Sequence, residues 1–182
     1  SSEVYGNALE NEVPITEDNP IRAANPYSIS KVGQDLISQY YAKAYDMKII
    51  VTRMFSHEGA RRGKQFALSS FAYQIVTAEK DKNFPPYNPS FPTHAVRHGN
   101  LDSVRTYNHI DDAVHAYWLA IDKCKYGETY NIGGDYTCTV GEALDMLISK
   151  SKNPKAFLKE LDEKRVRPTD ITLQIPSSHK FR

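Results

Sequence analysis

The chain has 182 residues, 23 Lys+Arg against 22 Asp+Glu, a net charge of +1 and 40% hydrophobic residues. That length suits one domain, or two small ones sharing a core. The balanced charge excludes a general nucleic-acid binder or a membrane-surface protein, which need a cationic field, and no apolar run approaches the ~20 residues that span a bilayer.

The first residues, Ser1-Ser2-Glu3-Val4-Tyr5-Gly6, have no signal-peptide or transit character, and the chain is expected to begin inside a larger protein. Residues 7–26 are polar and read as a loop. From Tyr27 to about Tyr45, Ile29, Val32, Leu36, Ile37, Tyr40, Tyr41 and Ala44 recur at helical steps, with Asn25-Pro26 as a helix start. Lys48 to Phe55 is β-branched and reads as a buried strand. A loop is expected over Ser56–Gln65 and a helix over Phe66–Ala78. Residues 81–93 hold Pro85, Pro86, Pro89 and Pro92 and must be irregular. Strand-like pieces follow at Ala95–Arg97 and Val104–His109, then a helix over Asp111–Asp122 in which Tyr117, Trp118 and Leu119 are expected in the core. Thr129–Ile132 reads as a strand. Thr139–Ser149 reads as a helix with Thr139 as N-cap and Glu142 completing a capping box. Lys150–Lys164 is expected as a solvated helix or loop, and Arg165–Arg182 as extended or loop.

Strands alternating with helices imply an α/β fold with a parallel sheet. Such proteins bind dinucleotides through a Gly-rich turn after the first strand, and no G-x-G-x-x-G occurs here. Either no dinucleotide binds, or the half carrying that turn is absent. Cys124 and Cys138 are too few for a disulfide framework and fit free thiols in a reducing compartment, so a cytoplasmic location is expected. His94 and His98 have no carboxylate or Cys partner at ligand spacing, so no metal is expected.

Tyr27 and Lys31 stand i,i+4 on the first helix and share a face. A free phenol is a poor base at neutral pH, and an ammonium a few Å away favours the phenolate. Such a pair can move a proton on or off a hydroxyl while a hydride leaves the same carbon. The bare spacing arises about once by chance in a chain of this composition, so its surroundings carry the weight.

Those surroundings are Ser1-Ser2-Glu3-Val4-Tyr5-Gly6, Asn25-Pro26-Tyr27-Ser28-Ile29-Ser30-Lys31 and Arg105-Thr106-Tyr107-Asn108-His109-Ile110-Asp111-Asp112. In order, they resemble the second half of the extended short-chain dehydrogenase/reductases that act on nucleotide sugars, the NAD-dependent epimerase/dehydratase family. His57-Glu58-Gly59-Ala60-Arg61-Arg62-Gly63, Gly99-Asn100-Leu101-Asp102 with Arg105, and Arg165-Val166-Arg167-Pro168-Thr169-Asp170 resemble the GDP-mannose 4,6-dehydratase branch. The third is shared with GDP-4-keto-6-deoxymannose reductases.

The resemblance implies the C-terminal part of a Rossmann-like parallel sheet with helices, plus a small mixed α/β substrate-binding region, without the N-terminal Gly-rich cofactor half. Residues 1–56 and 105–125 would belong to the Rossmann-like part, and 57–104 and 126–182 to the substrate-binding part. It further implies dehydration of GDP-mannose with bound NADP, or NAD, as internal hydride carrier. Tyr27 would take the carbon-4 hydroxyl proton, Lys31 would hold the cofactor ribose, and Ser1 would bond the carbon-4 oxygen. A strand end would deliver Glu3 to remove the carbon-5 proton, the carbon-6 hydroxyl leaving as water. His57 would contact the cofactor. Arg62, Asn100, Arg105 and Arg167 would bind the nucleotide and diphosphate, together with Ser56, where the family carries Asn.

Relatives assemble through the Tyr/Lys helix, so a homo-oligomer, at simplest a dimer, is expected. Two other readings stay open. In one, the whole protein is a reductase or epimerase that uses Tyr27 and Lys31 but not Glu3 as a base. Alternatively the chain is a non-catalytic piece or assembly module; on its own it is expected to be inactive.

Overall fold

The computed structural model describes residues 1–85 and 92–182. The elements in chain order are α1 (Pro26–Tyr45), β1 (Val51–Met54), β2 (His57–Glu58), α2 (Ala67–Ala78), β3 (His94–His98), β4 (Val104–Thr106), β5 (Asn108–His109), α3 (Ile110–Lys123), β6 (Thr129–Ile132), β7 (Thr137–Thr139), α4 (Val140–Ser149), β8 (Phe157–Leu161) and β9 (Leu173–Gln174). Short 3₁₀ turns form at Ser2–Tyr5, Glu10–Glu12, Pro154–Ala156 and Glu163–Arg165. Of the proline-rich segment, residues 86–91 lie outside the described residues.

The chain divides into two compact units. The first comprises residues 1–59, 104–137 and 169–182. In it β1 pairs with β6 in parallel, from Val51↔Thr129 to Met54↔Ile132. β2 and β5 form a second parallel pair, and β4 and β9 a third. Val4, Tyr5, Ala8, Ile15 and Phe55 make one core cluster. Met54, Ile132, Ala113 and Ala116 make another, between β1, β6 and α3. Gly6 closes the first turn at φ 57°, and a Cβ there would overlap the Arg22 carbonyl, so glycine is required.

The second unit comprises residues 60–103 and 138–168. β3 and β8 pair in parallel from His94↔Phe157 to His98↔Leu161. Its core is Phe71 and Ile75 of α2, Val96 of β3, Val140 and Leu144 of α4, and Ala156 and Phe157. The capping box at α4 forms as expected: Glu142 N donates to Thr139 Oγ1 at 2.9 Å, and Thr139 N donates to Glu142 Oε2 at 2.7 Å.

Four local expectations are corrected. A 3₁₀ turn, not a strand end, carries Glu3. β2 forms inside the expected Ser56–Gln65 loop, where Asn108 N donates to Ser56 O at 2.9 Å. β8 forms inside the expected mixed-charge stretch, because β3 offers it a strand edge and Phe157 enters the core. Trp118 and Tyr117 are exposed, at 71% and 42%. Helix α3 turns Ala113, Ala116 and Ala120 inward instead, and small residues let a helix lie close to the strands it covers. Helix α1 likewise buries Ser28, Asp35 and Ala42, while Ile29, Leu36, Ile37, Tyr40 and Tyr41 face outward.

Candidate active site

The first turn of α1 is fixed by its own sequence. Ser28 N donates to Asn25 Oδ1 at 2.8 Å, and Asn25 N donates to Ser28 Oγ at 2.9 Å. Pro26 occupies the first helical position, where a missing N–H costs nothing. Tyr27 therefore projects from the opening turn, and Lys31 follows one turn later on the same face. The Lys31 Nζ lies 5.5 Å from the centre of the Tyr27 ring. It also donates to Gln34 Oε1 at 2.9 Å.

Both side chains line a cavity of about 380 Å³ with Ser1, Gln34, Asp35, Ser38, Thr52, Met54, His57 and Tyr117 among its walls. Ser1 is placed there by its backbone nitrogen, which donates to Thr52 O on β1 at 3.1 Å. His57 arrives from β2 with Nδ1 3.2 Å from Phe55 O. Glu3 does not line this cavity; its Oε2 accepts from Asn25 Nδ2, in the cap of the helix that bears Tyr27, at 3.5 Å. The link through Asn25 was not read from the sequence, where Asn25 served only as a helix start.

The floor of the site is a buried polar network that the sequence did not disclose. Arg53 of β1 donates through Nε to Asp35 Oδ2 at 2.8 Å and through Nη2 to Asp35 Oδ1 at 3.1 Å. Its Nη1 donates to the Tyr5 hydroxyl at 2.8 Å and to Glu17 O at 3.0 Å. Tyr5 in turn donates to Asn131 Oδ1 at 2.6 Å, and Asn131 Nδ2 donates to Ile15 O at 2.9 Å. Burial disfavours the Arg53 charge, yet its bonds to Asp35 and Tyr5 outweigh that and hold the guanidinium above its ordinary range. Burial also pushes the Tyr5 phenol up, against the pull of Arg53.

The remaining expected residues are dispersed. Ser56 and Arg105 belong to the first unit but do not line this cavity. The Arg105 guanidinium donates to the carbonyls of Val104, at 2.9 Å, and Ile171. Arg62, Asn100 and Arg167 belong to the second unit. There Arg62 stacks over Phe66 at 3.9 Å, Asn100 Oδ1 accepts from Asp102 N at 2.8 Å, and Arg167 is exposed. Another cavity of about 400 Å³ in the first unit, bordered by Asn108, Asp112, Gly134 and Phe181, holds none of the expected residues. Among the described residues, no three His, Cys, Asp or Glu side chains converge as a metal site, and no helix is long and apolar enough to cross a membrane.

The family model described as GDP-mannose 4,6 dehydratase matches residues 1–182. This chain belongs to the GDP-mannose 4,6-dehydratase family. Among its relatives in that family's neighbourhood, the GDP-mannose 4,6 dehydratase of Dictyostelium discoideum is 26% identical over 99% of this chain and 52% of that protein. The dTDP-glucose 4,6-dehydratase of Haemophilus influenzae is 30% identical over 74% of this chain and 36% of that protein. The fold matches the crystal structure of dTDP-glucose 4,6-dehydratase from Bacillus anthracis in complex with NAD, with a TM-score of 0.78 and 24% identity, over 100% of this chain and 52% of that one. The chain thus spans between about a third and about half the length of these relatives. The α/β architecture with parallel pairs of strands, expected from the alternation of elements, is the fold observed.

Proposed function

We propose that the protein carrying this chain dehydrates GDP-mannose to GDP-4-keto-6-deoxymannose. The observation that carries the reading is the shared cavity of Ser1, Tyr27, Lys31 and His57, with the Lys31 ammonium 5.5 Å from the Tyr27 ring centre. Tyr27 accepts the proton of the carbon-4 hydroxyl as that carbon is oxidised. Lys31 keeps a positive charge beside the phenol, and Ser1 bonds the carbon-4 oxygen. The ketone at carbon 4 acidifies carbon 5, whose proton passes to Glu3 and on to the departing carbon-6 hydroxyl, which leaves as water; the hydride taken from carbon 4 then returns to carbon 6, and the proton taken by Tyr27 restores carbon 5. Asn25 orients the Glu3 carboxylate for this transfer.

A nicotinamide dinucleotide, NADP in the first instance, supplies the hydride store when bound. The cavity suits its ribose: Lys31, Gln34 and Ser38 present amine, amide and hydroxyl groups to an open space. His57 is assigned to the cofactor side. Arg62, Asn100, Arg105, Arg167 and Ser56 are assigned to the nucleotide and diphosphate, where the planar guanidinium makes paired charge-assisted bonds. Residues 1–56 and 105–125 are assigned to the Rossmann-like part, and 57–104 and 126–182 to substrate binding, except that β6 and residues 169–182 lie in the same compact unit as residues 1–59. The active species is assigned as a homo-oligomer in the cytoplasm, in keeping with the free thiols of Cys124 and Cys138.

A second reading, a reductase or epimerase, is favoured by one contact. Glu3 bonded to the Asn25 cap can orient a sugar without acting as a base. The test is to incubate the protein with GDP-mannose or dTDP-glucose and NADP⁺ or NAD⁺ and to follow product mass and sugar NMR. Loss of one water from GDP-mannose, abolished in Tyr27→Phe, is expected. Epimerisation without water loss, or reaction of dTDP-glucose alone, overturns the proposal.

A further inference from the structure

We infer that Arg53 is the positioning residue of this site: one buried guanidinium ties the helix bearing Tyr27 and Lys31 and the turn bearing Ser1 and Glu3 to the same strand. The inference rests on the reading of Tyr27 and Lys31 as a proton-transfer pair.

Three observations carry it. First, α1 lies on the core through Ser28, Asp35 and Ala42 with the half-buried Val32 beside them, and its larger apolar residues Ile29, Leu36, Ile37, Tyr40 and Tyr41 point outward. Serine, alanine and one valine give little interdigitation to define where a helix sits along its axis. The directional contact on that face is the forked bond from Arg53 to Asp35, with side chains 5% and 4% exposed. Second, Tyr27, Lys31 and Asp35 follow at i, i+4 and i+8, so fixing Asp35 fixes the other two. A slip of one residue would move Tyr27 by about 1.5 Å along the axis and turn it to another face. Third, the remaining arm of the same guanidinium reaches the Tyr5 hydroxyl, in the 3₁₀ turn that holds Glu3. Tyr5 is 1% exposed, so that turn has no freedom to rotate independently.

Arginine is required for this geometry. Its planar fork serves Asp35 with two N–H groups and still reaches Tyr5 and Glu17 with a third nitrogen. A lysine in the same place offers a single nitrogen and can serve one side of the pair at a time.

The test separates positioning from mere support. Removing Arg53 alone strands a buried carboxylate, whereas replacing both partners by apolar residues of similar volume preserves folding in comparable pairs. The double variant Asp35→Leu/Arg53→Met is therefore compared with the parent protein for thermal midpoint, and for kcat and KM with GDP-mannose. The expected result is a folded protein whose kcat falls more than tenfold while KM stays within threefold. A kcat fall of less than tenfold in the folded double variant, or a loss carried by KM alone, overturns the inference. If the double variant does not fold, Tyr5→Phe decides, since it removes one hydroxyl without changing packing. A fall in kcat of more than threefold at unchanged KM is expected, and a smaller fall overturns the inference. Tyr27→Phe is run alongside. Full activity in that variant refutes the proton-transfer reading itself, whereas an inactive Tyr27→Phe beside an active, folded double variant refutes only the role of Arg53.

Discussion

Replacing Asn131 by leucine tests whether the polar floor of the site is closed in the way described. Asn131 is fully buried on β6, directly across from Arg53 in the strand register. Its side chain accepts from the Tyr5 hydroxyl at 2.6 Å and donates to Ile15 O at 2.9 Å. Leucine matches asparagine in side-chain branching and heavy-atom number, with bulkier methyl groups, so no cavity forms. What is lost is the partner of one buried donor and one buried acceptor, about 1–3 kcal/mol each. Burial of the leucine side chain returns about 1.5–3 kcal/mol. The net is a destabilisation of about 1–3 kcal/mol, which for a chain of this size lowers the melting temperature by roughly 2–12 °C. Thermal unfolding followed by circular dichroism, with a urea titration beside it, measures the change. Adding Tyr5→Phe in the Asn131→Leu background should cost less than Tyr5→Phe alone, because the hydroxyl has already lost its acceptor. An unchanged or raised melting temperature, or fully additive effects of the two substitutions, would refute the reasoning.

Other measurements follow from separate parts of the molecule. Thr139→Ala removes the α4 cap and should cost about 1 kcal/mol in a denaturant titration; no change would mean that the two bonds between Thr139 and Glu142 do not hold the helix end. Glu12 accepts both Arg22 arms, at 2.6 and 2.7 Å, and these bonds pull its carboxyl from 4.5 down to about 2. A depressed carboxyl stabilises fully above its unfolded value and loses that contribution as pH falls through the folded one. The melting-temperature difference between the parent and Arg22→Ala should therefore be level from pH 7 to about 5 and vanish as pH approaches 2; a difference that widens in acid would contradict it. Glu3→Gln should stop water loss while leaving oxidation at carbon 4 partly intact, read by product mass and by the reduced nicotinamide absorbance. Equal loss of both steps would assign Glu3 to support rather than to proton removal.

How much of this was legible in the sequence depended on the range over which each signal acts. The cap of α4 is written in Thr139 and Glu142, three residues apart, and formed as read. The Tyr27–Lys31 face follows from helix geometry alone and also holds. The position of α1 was legible from its periodicity, but its orientation was not. An apolar stripe marks a helix without saying which side meets the core, and here Asp35 goes inward while Tyr40 and Tyr41 go out. The same misreading placed Trp118 in the core. The network below the site joins Tyr5, Asp35, Arg53 and Asn131, with Tyr5 and Asn131 separated by 126 positions. No local pattern announces such a set, because each member taken singly is an ordinary surface residue type. β2 escaped for another reason: a two-residue strand is too short to show alternation, and its partner Asn108–His109 lies far along the chain.

The three inward alanines of α3 have a bearing on how this protein can vary. Ala113 sits against Met54 and Ile132 and is 1% exposed, so a larger side chain there must displace the helix or the strand ends beneath it. Drift and engineering are thereby channelled to the outer side, where Val114, Trp118 and Ile121 can be randomised without disturbing the sheet edge. A library confined to those three positions is expected to hold more folded members than one that includes Ala113 and Ala120.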